Sequence, residues 1–303
     1  MKKTYLGAAL IVLSAFGYGL MPIFAVYAYN YNINVSTLLL FRFSTASVAF
    51  FVYIALKVKK ISIGLKDVIS FFILGGICFT AQASLFLNAV RFISPSLAEL
   101  LLYTSPMFVS ILSFAVFRER LRLKSILGMI VSFSGLVVIT SASAGSINLS
   151  GMMLASIAAV VYSVYIVFGN YVVKQQMPII TSAFITLFAA FGILVTGLLS
   201  NDINFDFNPM ALFPVAGIAL FSTIIAIYAF FKGLEYLGAT RSSILGMLEP
   251  IFTILFAYIM LHDVLTLYQF IGGGIVLGGA ALVVLFQRTN NIKSNQAIED
   301  EAL

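Results

Sequence analysis

Residues 105–135 read SPMFVSILSFAVFRERLRLKSILGMIVSFSG, and residues 249–279 read EPIFTILFAYIMLHDVLTLYQFIGGGIVLGG. The two stretches lie 144 positions apart and align without a gap. The aligned pairs include Pro106 with Pro250, Phe108 with Phe252, Glu119 with Asp263, Gly128 with Gly272 and Gly135 with Gly279. Apolar strings match readily by chance, but a proline, an acid and two glycines in one register do not. The pattern therefore indicates an internal duplication.

The same shift also pairs residues far outside these stretches. Gly7 falls on Gly151, and Tyr18 falls on Tyr162. The duplication therefore reaches back to the beginning of each half. We predict two repeats and a polar, disordered cytoplasmic tail, which cover residues 1–144, 145–288 and 289–303.

The composition places both repeats in a membrane. The chain is 61% hydrophobic and 9% charged, with a mean hydropathy of +1.09, whereas soluble domains carry about 25% charged residues. Ten apolar segments are each about long enough to cross a bilayer. They cover residues 5–28, 35–56, 69–91, 96–117, 124–140, 151–173, 178–199, 209–231, 240–260 and 268–286. The predicted fold is an all-α integral membrane protein with ten transmembrane helices.

The positions of the basic residues indicate the orientation of these helices. If the N-terminus is cytoplasmic, 15 of the 17 Lys and Arg residues lie on the cytoplasmic side, and only Arg42 and Arg91 do not. Basic loops are retained in the cytoplasm, so both termini are predicted to be cytoplasmic. Because five helices form each repeat, the second repeat starts from the opposite face. The two five-helix repeats are therefore expected to be inverted about an axis in the membrane plane.

Inverted repeats are typical of secondary transporters, in which two similar states open a central site to either side in turn. A passive channel, a structural membrane protein and a membrane-embedded enzyme are the alternatives. An enzyme is disfavoured because catalytic and metal sites need converging His, Cys or carboxylate groups, and the chain has a single histidine, His262, and a single cysteine, Cys78. We predict no catalytic residues, no metal and no cofactor. The basic residues follow the loops, so no nucleic-acid partner is expected either.

Three stretches resemble the EamA repeats of the drug/metabolite transporter superfamily. They are LLLFRFSTASVAFF at 38–51, SPMFVSILSFAVFRERL at 105–121 and LEPIFTILFAYIMLHDVL at 248–265. The resemblance implies a ten-helix carrier with a central cavity, commonly an exporter of amino acids or other small metabolites. The chain departs from the family pattern at Asp263, where glutamate is usual, and at Phe16, where tryptophan is frequent. The short loops favour a prokaryotic plasma (inner) membrane, in which the protein is expected to be a monomer or a homodimer.

The resemblance also places aromatic and polar side chains around the cavity for a small-molecule substrate. These candidates are Phe16, Tyr18, Phe79, Gln82, Tyr103, Tyr162 and Tyr228. Tyrosines in membrane helices also serve as packing residues or interfacial anchors, which is the alternative for each of them. Glu99, a shallower acid in the fourth segment, is either a further cavity residue or a structural one.

Glu249 is the acid that the sequence singles out. It lies about nine residues into its segment, so at about 1.5 Å per residue it is near the middle of the bilayer. A charged carboxylate at that depth costs about 2.5–3.5 kcal/mol. Glu249 is therefore expected to bond a neighbouring helix, to contact the solute or to couple transport to protons. The matching position holds Ser105, so the acid belongs to one repeat, whereas the duplicated Pro106 and Pro250 are interpreted as hinges.

Three further features have structural and functional interpretations. Arg42 lies within snorkelling reach of the interface, and a structural ion pair with Glu99 or Asp263 is favoured over anion binding. Lys232 and Glu235 are three residues apart and are predicted to pair on a helix surface, with gating as the alternative. Two glycines of the last segment have small-xxx-small spacing, which favours internal packing over dimerisation. They are Gly274 and Gly278.

Overall fold

The computed structural model describes most of the chain, and its described residues are 2–58, 63–90, 92–93, 98, 101–117, 123–141, 148–262, 267–268, 270–279 and 282. All regular structure in these ranges is helical. The first half contains α1 (Lys2–Gly19), α2 (Met21–Tyr29), α3 (Val35–Lys57), α4 (Leu65–Phe72), α5 (Thr80–Val90), α6 (Ser105–Phe117) and α7 (Leu123–Ser141). The second half contains α8 (Leu149–Val173), α9 (Pro178–Leu199), α10 (Leu212–Ala219), α11 (Ala226–Leu237), α12 (Ala239–Gly246), α13 (Glu249–Met260) and α14 (Phe270–Gly279).

The prediction of an all-α membrane protein is confirmed for the described residues. Seven helical segments are long and apolar enough to span a bilayer, and three shorter apolar helices accompany them, namely Ser105–Phe117, Ile126–Val138 and Phe270–Gly279. Large apolar side chains project outward, and Leu199 and Phe213 are each 84% exposed. An outer surface of this kind is stable only in lipid. The chain is therefore an integral membrane protein.

Local signals in the sequence explain where several helices begin. The Asn34 side chain accepts a hydrogen bond from the Thr37 amide at 2.9 Å and caps α3. Asn148 caps α8 in the same way. The predicted end of the eighth segment, residue 231, is too early, since α11 continues to Leu237.

Two helical spans are interrupted at equivalent places in the two halves. Turns at residues 103–104 and 247–248 precede α6 and α13, respectively. The Thr104 amide donates to the Leu101 carbonyl at 3.1 Å, and the Leu248 amide donates to the Leu245 carbonyl at 3.2 Å. Leu101 and Thr104 correspond to Leu245 and Leu248 after a shift of 144 positions. The duplication is therefore visible in the backbone as well as in the sequence.

The third span of each half contains a π-helical segment, which the sequence did not predict. We call these segments π1 (Ile73–Phe79), between α4 and α5, and π2 (Leu220–Ile225), between α10 and α11. A threonine hydroxyl at each one donates to the carbonyl five residues earlier, from Thr80 to Gly75 at 3.2 Å and from Thr223 to Ile218 at 3.0 Å. Short π-helical turns inside α-helices are frequent at functional sites.

The last helices of the two halves pack through reciprocal glycine contacts. A Cβ atom added to Gly135 in α7 would lie 2.7 Å from the Gly272 carbonyl oxygen in α14. A Cβ atom added to Gly279 in α14 would lie 2.6 Å from the Gly128 carbonyl oxygen in α7. The shift of 144 converts one contact into the other, as a two-fold relation requires.

The order of these contacts fixes the relative direction of α7 and α14. Between the two glycine contacts, the Ser132 hydroxyl donates to the Val276 carbonyl at 3.3 Å. These two residues are themselves 144 positions apart. As residue numbers rise along α7, the numbers of their partners fall along α14. The two helices therefore cross antiparallel, with Ser132 and Val276 at the centre of the crossing.

A second reciprocal pair of contacts joins the first helix of each half to the other half. A Cβ atom at Gly7 would lie 2.9 Å from Cγ of Leu237, and a Cβ atom at Gly151 would lie 2.9 Å from Cγ2 of Ile93. The shift of 144 again exchanges the two contacts. The same relation therefore holds at two separate places in the bundle.

The expected internal packing of Gly274 and Gly278 is not found among the described residues. A Cβ atom added to either residue would meet nothing within 4 Å in the described structure. The helix face that contacts α7 carries Gly272 and Gly279 instead, which are seven residues, or two helical turns, apart. The glycines of this run lie on two faces of α14, and their spacing alone did not show which face contacts α7.

Candidate functional site

Charged and tyrosine side chains from both halves converge inside the bundle. We call this group the central polar cluster, and it consists of Tyr18, Arg42, Tyr162, Tyr165 and Glu249. Arg42 lies within electrostatic range of Tyr18, Tyr165 and Glu249. Tyr162 lies within range of Tyr18 and Glu249, and its ring stacks on that of Tyr165 with centroids 6.0 Å apart. The cluster therefore joins α1, α3, α8 and α13.

Arg42 is the buried cation of the cluster, with only 2% of its surface exposed. Its Nε donates to the Thr223 hydroxyl at 2.7 Å, and its Nη2 donates to the Ser222 carbonyl at 3.0 Å. Its Nη1 contacts the sulfur of Met21 at 2.8 Å, and the guanidinium lies 4.8 Å from the centre of the Phe43 ring. These partners are all neutral, so none of them cancels the charge.

The position of Arg42 differs from the expected approach to the interface. The guanidinium points inward to π2 of the other half rather than along the helix towards the headgroups. The two expected ion-pair partners, Glu99 and Asp263, lie outside the described residues.

The π2 segment prepares the groups that hold Arg42. The Thr223 hydroxyl donates to the Ile218 carbonyl and accepts from Arg42, so it is fixed from both sides. The Ser222 carbonyl accepts from Nη2 of the same guanidinium. The helical irregularity and the buried cation therefore belong to one arrangement.

Glu249 occupies the first position of α13 and is half-buried. The sequence predicted one segment at residues 240–260 with Pro250 as a hinge, and within it the structure has a turn at residues 247–248 and a new helix start. Pro250 stands at the second position of α13, where its missing amide proton is not required. A negative charge at this end of a helix is favoured by the helix dipole.

The two helix starts contact the first helix of the opposite half in equivalent ways. A Cβ atom at Gly19 in α1 would lie 3.2 Å from the Glu249 carbonyl oxygen. The Ser163 hydroxyl in α8 donates to the Ser105 carbonyl at 3.1 Å. These two contacts are also related by the shift of 144. Pro106 is buried at the second position of α6, in the same place as Pro250 in α13.

The cluster combines a symmetric pair with two charges that break the symmetry. Tyr18 and Tyr162 are equivalent residues and lie within electrostatic range of each other. Position 186, the equivalent of Arg42, is a threonine whose hydroxyl bonds carbonyls of its own helix at 2.9 Å. Ser105 is the equivalent of Glu249. The duplicated scaffold thus carries one cation and one acid, each on one side only.

The ring of Phe79 lies beside the cluster, whereas Phe16 packs against α13 with 39% of its surface exposed. Phe79 in π1 lies edge-on to Phe43, with ring centroids 5.0 Å apart, and 5.7 Å from the centroid of Tyr165. Phe16 packs edge-on against two phenylalanines of α13, with centroid distances of 5.5 Å to Phe252 and 4.9 Å to Phe256. The rings of Phe43 and Phe79 can exclude water from part of the cluster and contact an apolar moiety.

The other candidates from the sequence are distributed as follows. Gln82 is half-buried in α5, and Tyr103 is half-buried in the turn before α6. Tyr228 lies on α11 with 38% of its surface exposed, more than the half-buried Tyr18 and Tyr162 or the buried Tyr165. Glu99 lies outside the described residues.

Lys232 and Glu235 form the expected pair on α11. Their Nζ and Oε2 atoms are 2.8 Å apart, and the side chains are 27% and 30% exposed. Lys232 also lies 4.8 Å from the centre of the Tyr236 ring. The pair lies on a partly exposed helix face.

Several residues of the site were not predicted from the sequence. They are Met21, Phe43, Tyr165, Ser222 and Thr223. Tyr165 could have been found, because it lies one helical turn after Tyr162 and shares its face. Among the described residues, no three His, Cys, Asp or Glu side chains are grouped to hold a metal ion.

A helical bundle with a lipid-exposed apolar surface and charges buried between two related halves defines a polytopic membrane protein of the transporter class. Comparison with known families identifies it further. The EamA-like transporter family matches residues 5–141 and again residues 149–285. The chain belongs to this family, with two EamA copies, and therefore to the drug/metabolite transporter superfamily. It is a membrane transporter.

Related sequences and a solved structure agree with this assignment. An "uncharacterized transporter" of Archaeoglobus fulgidus is 30% identical over 225 residues, which cover 72% of this chain and 78% of the relative. The "uncharacterized transporter YyaM" of Bacillus subtilis is 24% identical, with 71% and 72% covered. One crystal structure superposes with a TM-score of 0.81 at 17% identity, covering 94% of this chain and 99% of the other, and supports the fold alone.

Proposed function

We propose that the protein is a secondary transporter that exports a small organic solute, an amino acid or a related metabolite, across a prokaryotic inner membrane. The observation that carries this proposal is the central polar cluster, which buries Arg42 between the two halves and brings it within electrostatic range of Glu249. Ionisable groups inside a membrane protein are costly and usually mark the path of a substrate or ion. Export and an amino-acid-like solute follow from the resemblance to the EamA family.

The proposed architecture has ten spans in two inverted repeats, residues 1–144 and 145–288, with both termini in the cytoplasm. The antiparallel crossing of α7 and α14 supports it, because corresponding helices cross antiparallel only when the two-fold axis is perpendicular to them. Such an axis lies in the membrane plane if these helices span the bilayer. Inverted repeats of this kind give a carrier two related states around one site.

Two contacts and one chain connection define one end of the bundle, and buried polar groups within that end support alternating access. Nζ of Lys174 lies 5.0 Å from the centre of the Phe117 ring, which brings the ends of α6 and α8 together. A Cβ atom at Gly169 would lie 3.0 Å from the Phe231 ring, which brings α11 to the same end. The turn at residue 238 then leads directly into α12.

We call the polar residues inside this end the buried polar layer, and they are Ser113, Asn170, Thr181 and Ser242. All four are fully buried, at 0% exposure. Each has a side-chain N or O atom without a hydrogen-bond partner in the described structure. Burying such a group costs about 1–3 kcal/mol. Opening this end to water would recover that cost, as expected for a pathway that is closed here and hydrated in the opposite state.

Proton coupling through Glu249 is part of the proposal. The acid lies within electrostatic range of Arg42, Tyr18 and Tyr162, so a change in its protonation alters the charge of the whole cluster. A carrier that alternates between two states can use such a change to bias one of them.

Counterflow in liposomes tests the proposed function. Purified protein is reconstituted into vesicles loaded with one unlabelled L-amino acid, and uptake of the same labelled amino acid is followed for a panel of L-amino acids. A carrier gives saturable, transient accumulation of a chemically unchanged solute, which protein-free vesicles do not show. Uptake that neither saturates nor responds to the internal solute indicates a channel, and chemical conversion of the solute indicates an enzyme. Either result rejects the proposal.

A further inference from the structure

We infer that the guanidinium of Arg42 binds the carboxylate group of the transported solute. This inference rests on the proposed function and deepens it by naming the chemical group that the cluster recognises. It assigns to Arg42 a role in specificity, whereas the sequence favoured a structural ion pair.

The first support is the cost of placing Arg42 where it lies. The side chain is 98% buried, and its hydrogen-bond partners Thr223 and Ser222 are neutral. Removing a cation from water costs several kcal/mol; the neutral partners return part of that cost, and Glu249 within electrostatic range returns a further part. A purely structural role would be served by a neutral residue, as Thr186 serves at the equivalent position of the other half.

The second support is the unused hydrogen-bonding capacity of the guanidinium. Arginine has five N–H donors. Within the described chain, three are directed at the Thr223 hydroxyl, the Ser222 carbonyl and the Met21 sulfur, and thioether sulfur is a weak acceptor. Two N–H groups on Nη1 and Nη2 therefore remain. A planar pair of donors matches the two oxygens of a carboxylate.

The third support is that Arg42 is held in place before any solute arrives. Thr223 is bonded on its other side to the Ile218 carbonyl, and π2 presents the Ser222 carbonyl to Nη2. The Phe43 ring covers one side of the guanidinium at 4.8 Å. A fixed donor loses less conformational entropy when it binds a ligand.

The composition of the cluster restricts the class of solute further. The phenolic groups of Tyr18 and Tyr165 lie within range of Arg42, as does the carboxylate of Glu249. A solute with a carboxylate for Arg42 and an ammonium group for Glu249 would complement both charges. The expected ligand is therefore a small zwitterion, with its side chain against the tyrosine and phenylalanine rings.

The test uses a counterflow substrate and two analogues of it. For each labelled L-amino acid that exchanges in vesicles, the unlabelled free acid, its carboxamide and its decarboxylated amine are compared as competitors. With the wild-type protein, the carboxamide and the amine are expected to compete at least about tenfold more weakly than the acid, since a hydrogen bond between charged groups is lost. Equal competition by acid and carboxamide would overturn the inference.

Variants identify the residue responsible. Arg42→Gln is expected to remove the preference for the acid over the carboxamide, and Arg42→Lys to retain part of it. Lys66→Gln, which removes a cation from the exposed surface of α4, is expected to retain the preference in full. A preserved preference in Arg42→Gln contradicts the assignment. If Arg42→Gln does not fold, the wild-type comparison and Arg42→Lys decide, because the lysine variant keeps the charge but loses the planar fork.

The results also separate this inference from the proposed function. If only solutes without a carboxylate exchange, the proposed transport function stands, but the role of Arg42 in binding a carboxylate is overturned. Failure of every amino acid, carboxamide and amine to exchange overturns the proposed function, and the inference with it.

Discussion

Arg42 and Glu249 lie inside the bundle, and each is met by residues of the other half. Arg42 belongs to the first half and bonds to Ser222 and Thr223 of the second. Glu249 belongs to the second half and lies within electrostatic range of Tyr18 of the first. A relative movement of the halves therefore changes the surroundings of both charges. This couples the chemistry of single residues to the position of the whole repeat.

Glu249→Gln tests whether this acid takes part in transport. Glutamine has nearly the same shape but cannot titrate, so the rate of counterflow is expected to lose the pH dependence that Glu249 provides. The measurement is counterflow of one amino acid by wild type and variant over a range of pH. Glu235→Gln, which changes an acid in the exposed pair on α11, is the matched control and is expected to keep the wild-type profile. An unchanged rate, affinity and pH profile in Glu249→Gln would exclude the acid from the mechanism.

Part of the site could be predicted from sequence at the scale of residues. The duplication and the family resemblance identified Tyr18 and Tyr162, the depth of its charge in an apolar segment identified Glu249, and the structure brings the three together. The neutral partners of Arg42 could not be predicted, because Thr223 lies 181 positions away along the chain. The sequence shows that a charge is buried, but only the packing shows which groups meet it.

At the scale of elements, the length of the apolar segments predicts where helices lie, whereas local signals mark some features within the helices and not others. Where the structure describes the ten apolar segments, they are helical apart from short turns, because the need to satisfy backbone groups in lipid leaves few alternatives. The helix starts at Pro106 and Pro250 are marked by proline. No residue in the sequence marks the π1 and π2 segments in this way. They depend on hydrogen bonds such as that from Thr223 to Ile218, five residues earlier, and on contacts of Thr223 with residues far away in the chain, such as Arg42.

Two adjacent glycines of α14 provide a test of the helix packing. Gly279→Ala places a Cβ atom 2.6 Å from the Gly128 carbonyl and against the backbone of Ser132, so it is expected to destabilise the protein by about 1–3 kcal/mol. A Cβ atom at Gly278 meets no described residue within 4 Å, so Gly278→Ala is expected to be neutral or stabilising by up to about 1 kcal/mol. Unfolding of the two variants in detergent measures the difference. Equal stabilities would contradict the α7–α14 contact.

At the scale of the whole molecule, the proposed inversion makes equivalent residues face opposite sides of the membrane. Asn30 and Lys174 are 144 positions apart, both are exposed, and each directly follows the end of a helix. In a parallel arrangement, they would face the same side. Their accessibility therefore tests the symmetry directly, without reference to a substrate.

Asn30→Cys and Lys174→Cys are made in a Cys78→Ser background, which contains no other cysteine. A membrane-impermeant maleimide is expected to label Asn30→Cys in intact cells, and Lys174→Cys only after permeabilisation, because the basic loops are cytoplasmic. Labelling of both positions from the same side would refute the inverted arrangement. Labelling of each from the side opposite to that expected would refute the orientation while leaving the inversion intact.

Asn170→Leu tests whether the buried polar layer belongs to the transport pathway. Both polar atoms of the Asn170 amide are buried without a partner in the described structure, so an apolar residue of similar volume is expected to stabilise this state by about 1–3 kcal/mol. The same change removes a group that water would satisfy when this end opens, so counterflow is expected to slow as unfolding in detergent becomes harder. Asn88→Leu, which replaces an exposed asparagine of α5, is expected to change neither property in this way. If Asn170 has only a structural role, its replacement changes stability alone. If Asn170 alternates between buried and hydrated states, its replacement must both raise stability and lower the rate of counterflow. Higher stability with an unchanged rate would therefore remove Asn170 from the pathway.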